Sequence, residues 1–289
     1  MACSVRPSTF FARRCLLTAD NQTQLILQAL QEAGTQNPDL STYYELHRTL
    51  LELQGKAKEE IAATLEMADE EALQARLLQG LPLLSFAQLP IEAERFARLA
   101  QAIVQVLTDY EVDVGDRSLP AAAEWVSLAQ QRFEEGQVAG EQSGESGEAT
   151  LAQMAVDLAL RPYLEWAAEQ VLPYVDQQHW KRGYCPVCGG APDFAFLDEE
   201  TGARHLLCSR CNSQWLYHRL GCPFCETTDH TKLLNYRSED GVYRLYVCQE
   251  CRRYLKTVDL RQVGRTVLLP VERVATVAMD AAAMQEGYR

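Results

Sequence analysis

Tyr184-Cys185-Pro186-Val187-Cys188-Gly189 contains the first of four Cys-x-x-Cys pairs between residues 185 and 251, and their spacing decides the fold of this half of the chain. The others are Cys208/Cys211, Cys222/Cys225 and Cys248/Cys251. Four thiolates close a tetrahedral shell around one soft metal ion, so eight imply two mononuclear sites. Nineteen residues separate Cys188 from Cys208, and twenty-two separate Cys225 from Cys248. Either interval holds two strands and a turn, which carry the second pair back beside the first. The predicted unit is a rubredoxin-like or zinc-ribbon module, knuckle, hairpin and knuckle, present twice. Site 1 is Cys185, Cys188, Cys208 and Cys211; site 2 is Cys222, Cys225, Cys248 and Cys251. Interleaved pairing, with the first and third pairs sharing an ion, is the alternative and needs non-local strands in place of the two hairpins.

A Cys-x-x-Cys knuckle turns sharply, and a residue tolerant of positive φ just after its second cysteine helps it do so. Gly189 and Asn212 meet that demand; Glu226 and Arg252 meet it less well, which predicts some strain in the second ribbon. Pro186 and Pro223 follow the first cysteine of each unit and pre-set φ there. Both zinc and iron accept a tetrahedral four-sulfur shell, and only iron adds one-electron chemistry. A redox dithiol needs a βαβ context that is missing. An iron–sulfur cluster is compatible with cysteines alone, but hairpin-bracketed quartets suit single ions better. Closed sites of this kind also have a plain structural use, holding together small modules that lack a core.

Outward from the cysteines the alternation continues. Phe194 and Phe196, Ala203 to Leu207, Leu233 to Tyr236, Val242 to Val247 and Arg252 to Val258 read as strands, with turns at Asp198–Gly202 and Ser238–Gly241. Upstream the pattern is helical. Apolar residues recur every three or four positions from about Thr23 to Val175, for instance Phe96, Leu99, Ile103 and Leu107 after Pro90. Pro162 is expected to kink or divide the helix that resumes near Thr150. Residues 134–149, EEGQVAGEQSGESGEA, are small, polar and acidic and read as a mobile loop.

The fold class is thus α+β, an N-terminal all-α domain followed by two tandem metal-binding β modules. The expected divisions are a disordered tail at 1–22, a helical domain at 23–178 and ribbons at 179–217 and 218–268. A C-terminal helix is expected at 269–289.

The 289 residues carry a formal charge of −13. Residues 181–289 hold 15 Lys and Arg against 13 Asp and Glu; the preceding 180 hold 12 against 27. An acidic body with a near-neutral cysteine half speaks against nucleic-acid binding. No apolar run approaches the ~18 residues that suggest a membrane span. Eight of ten cysteines fall in the regular pairs, a usage of reducing compartments, and Cys3 and Cys15 read as ordinary small residues. The arginines at 6, 13 and 14 faintly resemble a transit peptide, though a short disordered tail is the preferred reading. There is no Gly-rich phosphate loop, no HExxH and no Ser-His-Asp set among the five histidines, so the chain is not expected to be an enzyme. His179 and His218 flank the ribbons but read as surface or packed residues, since eight thiolates already complete both shells.

The cysteine half resembles the FdhE family of formate dehydrogenase accessory proteins. The resemblance is carried by Tyr184 to Gly189 with Pro192, His205 to Cys211 with Trp215, Cys222/Cys225, and Val247 to Lys256. Pro270-Val271-Glu272, Met279-Asp280 and Gly287-Tyr288 extend it, as does Leu160-Arg161-Pro162-Tyr163 upstream. It implies a cytoplasmic, non-enzymatic maturation factor that associates with the catalytic subunit of a molybdenum-dependent formate dehydrogenase and whose rubredoxin-like sites are associated with iron. A rubredoxin-like iron protein in electron or sulfur handling is the alternative, and a nucleic-acid-binding zinc ribbon a more distant one.

Overall fold

The computed structural model describes residues 19–137 and 149–289. Most of the tail expected at 1–22, and positions 138–148 of the acidic loop, lie outside them. Six helices come first: α1 (Ala19–Gln36), α2 (Ser41–Glu59), α3 (Glu70–Leu78), α4 (Ala93–Asp109), α5 (Trp125–Glu135) and α6 (Leu151–Val171). Their starts follow local chemistry. The Asp69 side chain caps α3 by accepting from the Ala72 amide, and Thr150 and Gln153 form a reciprocal capping box on α6.

Helix α6 is the axis of the helical half. Ala155, Val156, Ala159, Leu160, Leu164 and Ala167 are all buried, meeting Phe96, Ala100 and Ile103 of α4 and Trp125, Ala129 and Phe133 of α5. The expected division at Pro162 does not occur, and α6 runs unbroken through it. Proline removes the amide that would bond the carbonyl four residues earlier. That carbonyl belongs to Leu158, and the buried Gln54 side chain of α2 donates to it at 2.8 Å.

Beyond residue 191 come β1 (Pro192–Leu197), β2 (Arg204–Cys208), β3 (Gln214–Tyr217), β4 (Leu233–Arg237), β5 (Tyr243–Cys248) and β6 (Tyr254–Asp259). Both expected hairpins are present, β1 with β2 and β4 with β5, each antiparallel. The two ribbons are also joined. Strands β1 and β6 pair in parallel, Phe194 opposite Lys256 and Leu197 opposite Asp259, giving one six-stranded sheet in the order β3-β2-β1-β6-β5-β4. At that seam Asp259 is buried and accepts hydrogen bonds from Arg244 and Arg261.

Where one C-terminal helix was expected there are two, α7 (Leu269–Ala275) and α8 (Val277–Gln285). Thr276 leaves helical geometry at φ −95° and ψ 21° and returns its hydroxyl to the Glu272 carbonyl at 2.8 Å. The break lets α7 pack Val271 and Val274 with Leu30 and Tyr44 of α1 and α2, while Ala283 of α8 packs with Leu245 and Val247 of β5. The buried side chains of α3 to α6 share one hydrophobic core with Cys185, Cys188, Cys208, Cys211 and Trp215. Among the described residues no helix is long and apolar enough to cross a membrane.

Candidate metal centres

All four knuckles share one backbone design. The amide of the leading cysteine donates to the carbonyl five residues on: Cys185 to Gly190, Cys208 to Ser213, Cys222 to Thr227 and Cys248 to Arg253, at 2.9–3.0 Å. To close that loop, the residue four after the leading cysteine takes positive φ: 75° at Gly189, 56° at Asn212, 59° at Glu226 and 56° at Arg252. The strain anticipated at Glu226 and Arg252 is therefore present as left-handed backbone at two non-glycine residues.

The knuckles bring the thiols together as the spacing predicted. Within each quartet, Cys185/Cys188/Cys208/Cys211 and Cys222/Cys225/Cys248/Cys251, all four Sγ atoms lie within 4.8 Å of one another. Sγ–Sγ separations are 3.6 Å for Cys185–Cys211, 3.4 Å for Cys188–Cys208, 3.6 Å for Cys222–Cys251 and 3.7 Å for Cys225–Cys248. A tetrahedral ion with bonds of ~2.3 Å to sulfur needs edges of about 3.8 Å, so either quartet can hold zinc or iron with small adjustment. Hydrogen bonding alone cannot settle four thiols so close together in either quartet. Burial raises Cys185 and Cys211 well above the ordinary thiol range, while hydrogen bonding from Cys185 lowers Cys188. In the second quartet burial raises Cys222, and takes Cys251 to about 11. Four thiolates in one shell need the counter-charge of a metal cation.

The surroundings of the quartets differ. In the first, every cysteine is buried, and the helical half grips both knuckles. The amides of Leu83 and Leu84 donate to the carbonyls of Pro186 and Val187, each at 2.9 Å. Arg161 of α6 donates to the Ser209 carbonyl at 2.7 Å, Arg210 to that of Phe133 at 3.2 Å, and Asn212 to Glu165. Trp215 is fully buried and donates to the Arg182 carbonyl; Trp180 donates to that of Tyr184, whose hydroxyl reaches Gly80.

In the second quartet Cys222 and Cys248 are buried, but Cys225 and Cys251 are partly exposed. Its first knuckle leans on the other ribbon. Tyr217 donates to the Cys222 carbonyl at 3.1 Å, and Arg204 of β2 donates to that of Gly221 at 2.7 Å. The backbone of Gly183 comes so near that a Cβ there would lie 1.8 Å from the Pro223 oxygen. Neither His179 nor His218 joins a group that could hold a metal among the described residues, and His179 bonds Asp176 instead. Arg204, Arg210 and Gly183 were not singled out from sequence, since their role appears only once the ribbons meet.

A family profile described as "FdhE, central domain" matches residues 184–219, which contain the first quartet and β1–β3. The Protein FdhE homolog of Aquifex aeolicus is 34% identical over 133 residues, 45% of this chain and 46% of that protein. The Protein FdhE homolog of Pseudomonas aeruginosa is 32% identical over 115 residues, 37% of either chain. The matched stretch thus spans less than half of these relatives. In fold the likeness is longer: the crystal structure of the FdhE protein from Pseudomonas aeruginosa superposes with a TM-score of 0.61, covering 94% of both chains at 19% identity. In its cysteine half by sequence, and along nearly its whole length by fold, the chain is similar to the FdhE proteins.

Proposed function

We propose that this chain is a cytoplasmic maturation factor for formate dehydrogenase, without enzymatic activity of its own, that binds the catalytic subunit through its helical half and its twin ribbons. The observation that carries the reading is the sequence match centred on the first quartet, extended by likeness of fold over 94% of the chain. In this reading Cys185, Cys188, Cys208 and Cys211 ligate one ion and Cys222, Cys225, Cys248 and Cys251 a second. The ions complete two modules, 179–217 and 218–268, and the helical domain of 23–178 presents the first of them. A four-sulfur shell supplies no open coordination position, which suits organisation of a surface better than Lewis-acid catalysis. Co-purification with a formate dehydrogenase catalytic subunit under anaerobic, low-salt conditions is the test. A stable complex is expected, and repeated absence of one overturns the reading.

A second reading, a rubredoxin-like iron protein in electron handling, is favoured by the partial exposure of Cys225 and Cys251, since transfer needs an approach to the ligands. Anaerobic preparation followed by elemental analysis and an optical spectrum separates the two. Iron with a thiolate charge-transfer band and reversible reduction supports the electron carrier, and stoichiometric zinc removes it.

A further inference from the structure

Between the helices and the sheet lies a cleft of about 490 Å³, walled by α1, α2 and α6 on one side and by β6, α7 and the second knuckle on the other. Much of its lining is apolar, including Leu27, Leu50, Leu158, Phe224 and Val274. Its charges run against the rest of the molecule. Lys58, Arg161, Arg253, Lys256, Arg273 and Arg289 line it, in a chain whose formal charge is −13. Three carboxylates line it beside them, Glu165, Asp193 and Asp280, and Glu169 outside the lining pairs with Lys58 at 2.6 Å.

The carboxylates are largely engaged. Asp280 accepts from both Lys256, at 2.6 Å, and Tyr254, at 2.8 Å. Glu165 accepts from Asn212, and Asp193 lies 3.0 Å from Arg273. Of the four guanidiniums, those of Arg273 and Arg161 keep nitrogen atoms without a hydrogen bond among the described residues. Arg273 spends Nη1 on Asn212 and Nη2 on the Cys208 carbonyl and the Asp193 carboxylate, leaving its buried Nε without a hydrogen bond among the described residues. Arg161 makes one hydrogen bond, from Nη2 to the Ser209 carbonyl, among the described residues. His47 adds no compensating charge; burial and the cations Arg161, Lys256 and Arg273 keep it neutral. Partly desolvated cations short of partners cost stability, and a bound anion offsets that cost.

We propose that this cleft binds an oxyanion, a carboxylate or phosphoryl group carried on a partly apolar molecule, held by the free edge of Arg161 with Arg253 lining the same cleft and Arg273 adding its charge. Guanidinium forks match both groups geometrically, and the volume is that of a ligand pocket rather than a packing defect. The apolar wall favours an anion with a hydrocarbon body over a bare ion. Such binding requires no formate dehydrogenase, so its failure and the failure of client binding are read separately.

Calorimetry on the full, metal-loaded chain tests it with two probes, inorganic phosphate and the blocked tripeptide acetyl-Leu-Glu-Leu-amide. Acetyl-Leu-Gln-Leu-amide at matched ionic strength is the control. Saturable binding of either anionic probe, without binding of the glutamine control, supports the site; whichever probe binds tells a phosphoryl source from a peptide carboxylate. Arg161→Gln and Arg253→Gln should each weaken that binding by about tenfold, the loss expected for one charge-assisted contact. Arg237→Gln, on exposed β4, should leave it unchanged. Circular dichroism identifies a variant that fails to fold, and the other then carries the test. The proposal is overturned by absence of binding of both probes at millimolar concentration. Affinities unchanged in a folded Arg161→Gln or Arg253→Gln variant overturn it too.

Discussion

Gln54 Nε2 donates at 2.8 Å to the Leu158 carbonyl, the acceptor that Pro162 deprives of its amide partner. One buried side chain on α2 thereby completes the backbone of α6. Replacing Gln54 by Leu keeps the bulk and leaves the carbonyl unpaired, at an expected cost of about 1–3 kcal/mol in denaturant unfolding. Pro162→Ala restores the missing amide. The cost of Gln54→Leu should therefore shrink in the Pro162→Ala background, and strict additivity of the two changes would show that the bond does not serve this purpose.

The two quartets should part with their ions at different rates. Every cysteine of the first is buried in the core shared with the helices, whereas Cys225 and Cys251 are partly exposed. In a colorimetric chelator competition, one ion should leave well before the other. Cys225→Ser should abolish the fast phase and Cys188→Ser the slow one. Equal release of both ions would contradict the asymmetry. Because metal binding supplies folding energy, Cys188→Ser should also lower the melting temperature of the helices, and Cys225→Ser far less so.

Glu226 carries φ 59° where the equivalent position of the first knuckle is Gly189. Glu226→Gly should relieve left-handed strain and raise stability by up to about 1 kcal/mol. Arg252 has a similar φ, 56°, but its guanidinium lies 4.1 Å from the Tyr288 ring centre and donates to the Glu286 carbonyl. Arg252→Gly should therefore be neutral or destabilising, as those contacts outweigh the strain. Chemical denaturation of both variants checks the difference.

His47 gives the fold an acid-sensitive element. Burial, then the charges of Arg161, Lys256 and Arg273, lowers its pKa from 6.5 to about 4. Between those values the unfolded chain binds a proton that the folded chain refuses, so stability is complete above about 6.5 and declines as pH falls towards 4. The contribution is on the order of 2–3 kcal/mol across that window. Stability measured against pH should lose this slope in His47→Gln, while an unchanged slope would assign it to another group. Asp259 acts lower still. Hydrogen bonds from Arg261 and Arg244 bring its carboxyl to about 2, so its contribution, full above 3.8, fades only as pH falls through about 2.

Both hairpins were legible from local signals. Alternating residues flank turns at which Gly202 and Gly241 take positive φ, 66° and 73°. The quartets followed from cysteine spacing and hairpin length, and the helices from apolar residues at threes and fours. What sequence did not disclose was non-local. Nothing near Phe194 announces Lys256 as its parallel neighbour; the only trace is that β1 and β6 are buried almost throughout, as strands with neighbours on both faces are. Gln54 continues the buried face of Tyr44 and Leu50 as a polar residue, and its use appears only when α6 is placed beside it. The break at Thr276 was hidden because no glycine or proline marks it. The clamp of α5 and α6 on the Cys208/Cys211 knuckle depends on single hydrogen bonds that leave no periodic signature.

The parallel pairing of β1 with β6 also bears on synthesis of the chain. Phe194–Leu197 and Lys256–Asp259 are sixty-two residues apart, with β2 to β5 between them. On the ribosome the first ribbon has its cysteines, its hairpin and its helical clamp long before β6 emerges. Until then β1 presents an open edge with buried-type side chains, the kind of surface that recruits foreign strands. An ion captured early at Cys185–Cys211 would hold that edge in register during the wait. Metal starvation during growth should therefore reach the yield of soluble protein before it reaches any property of the finished fold.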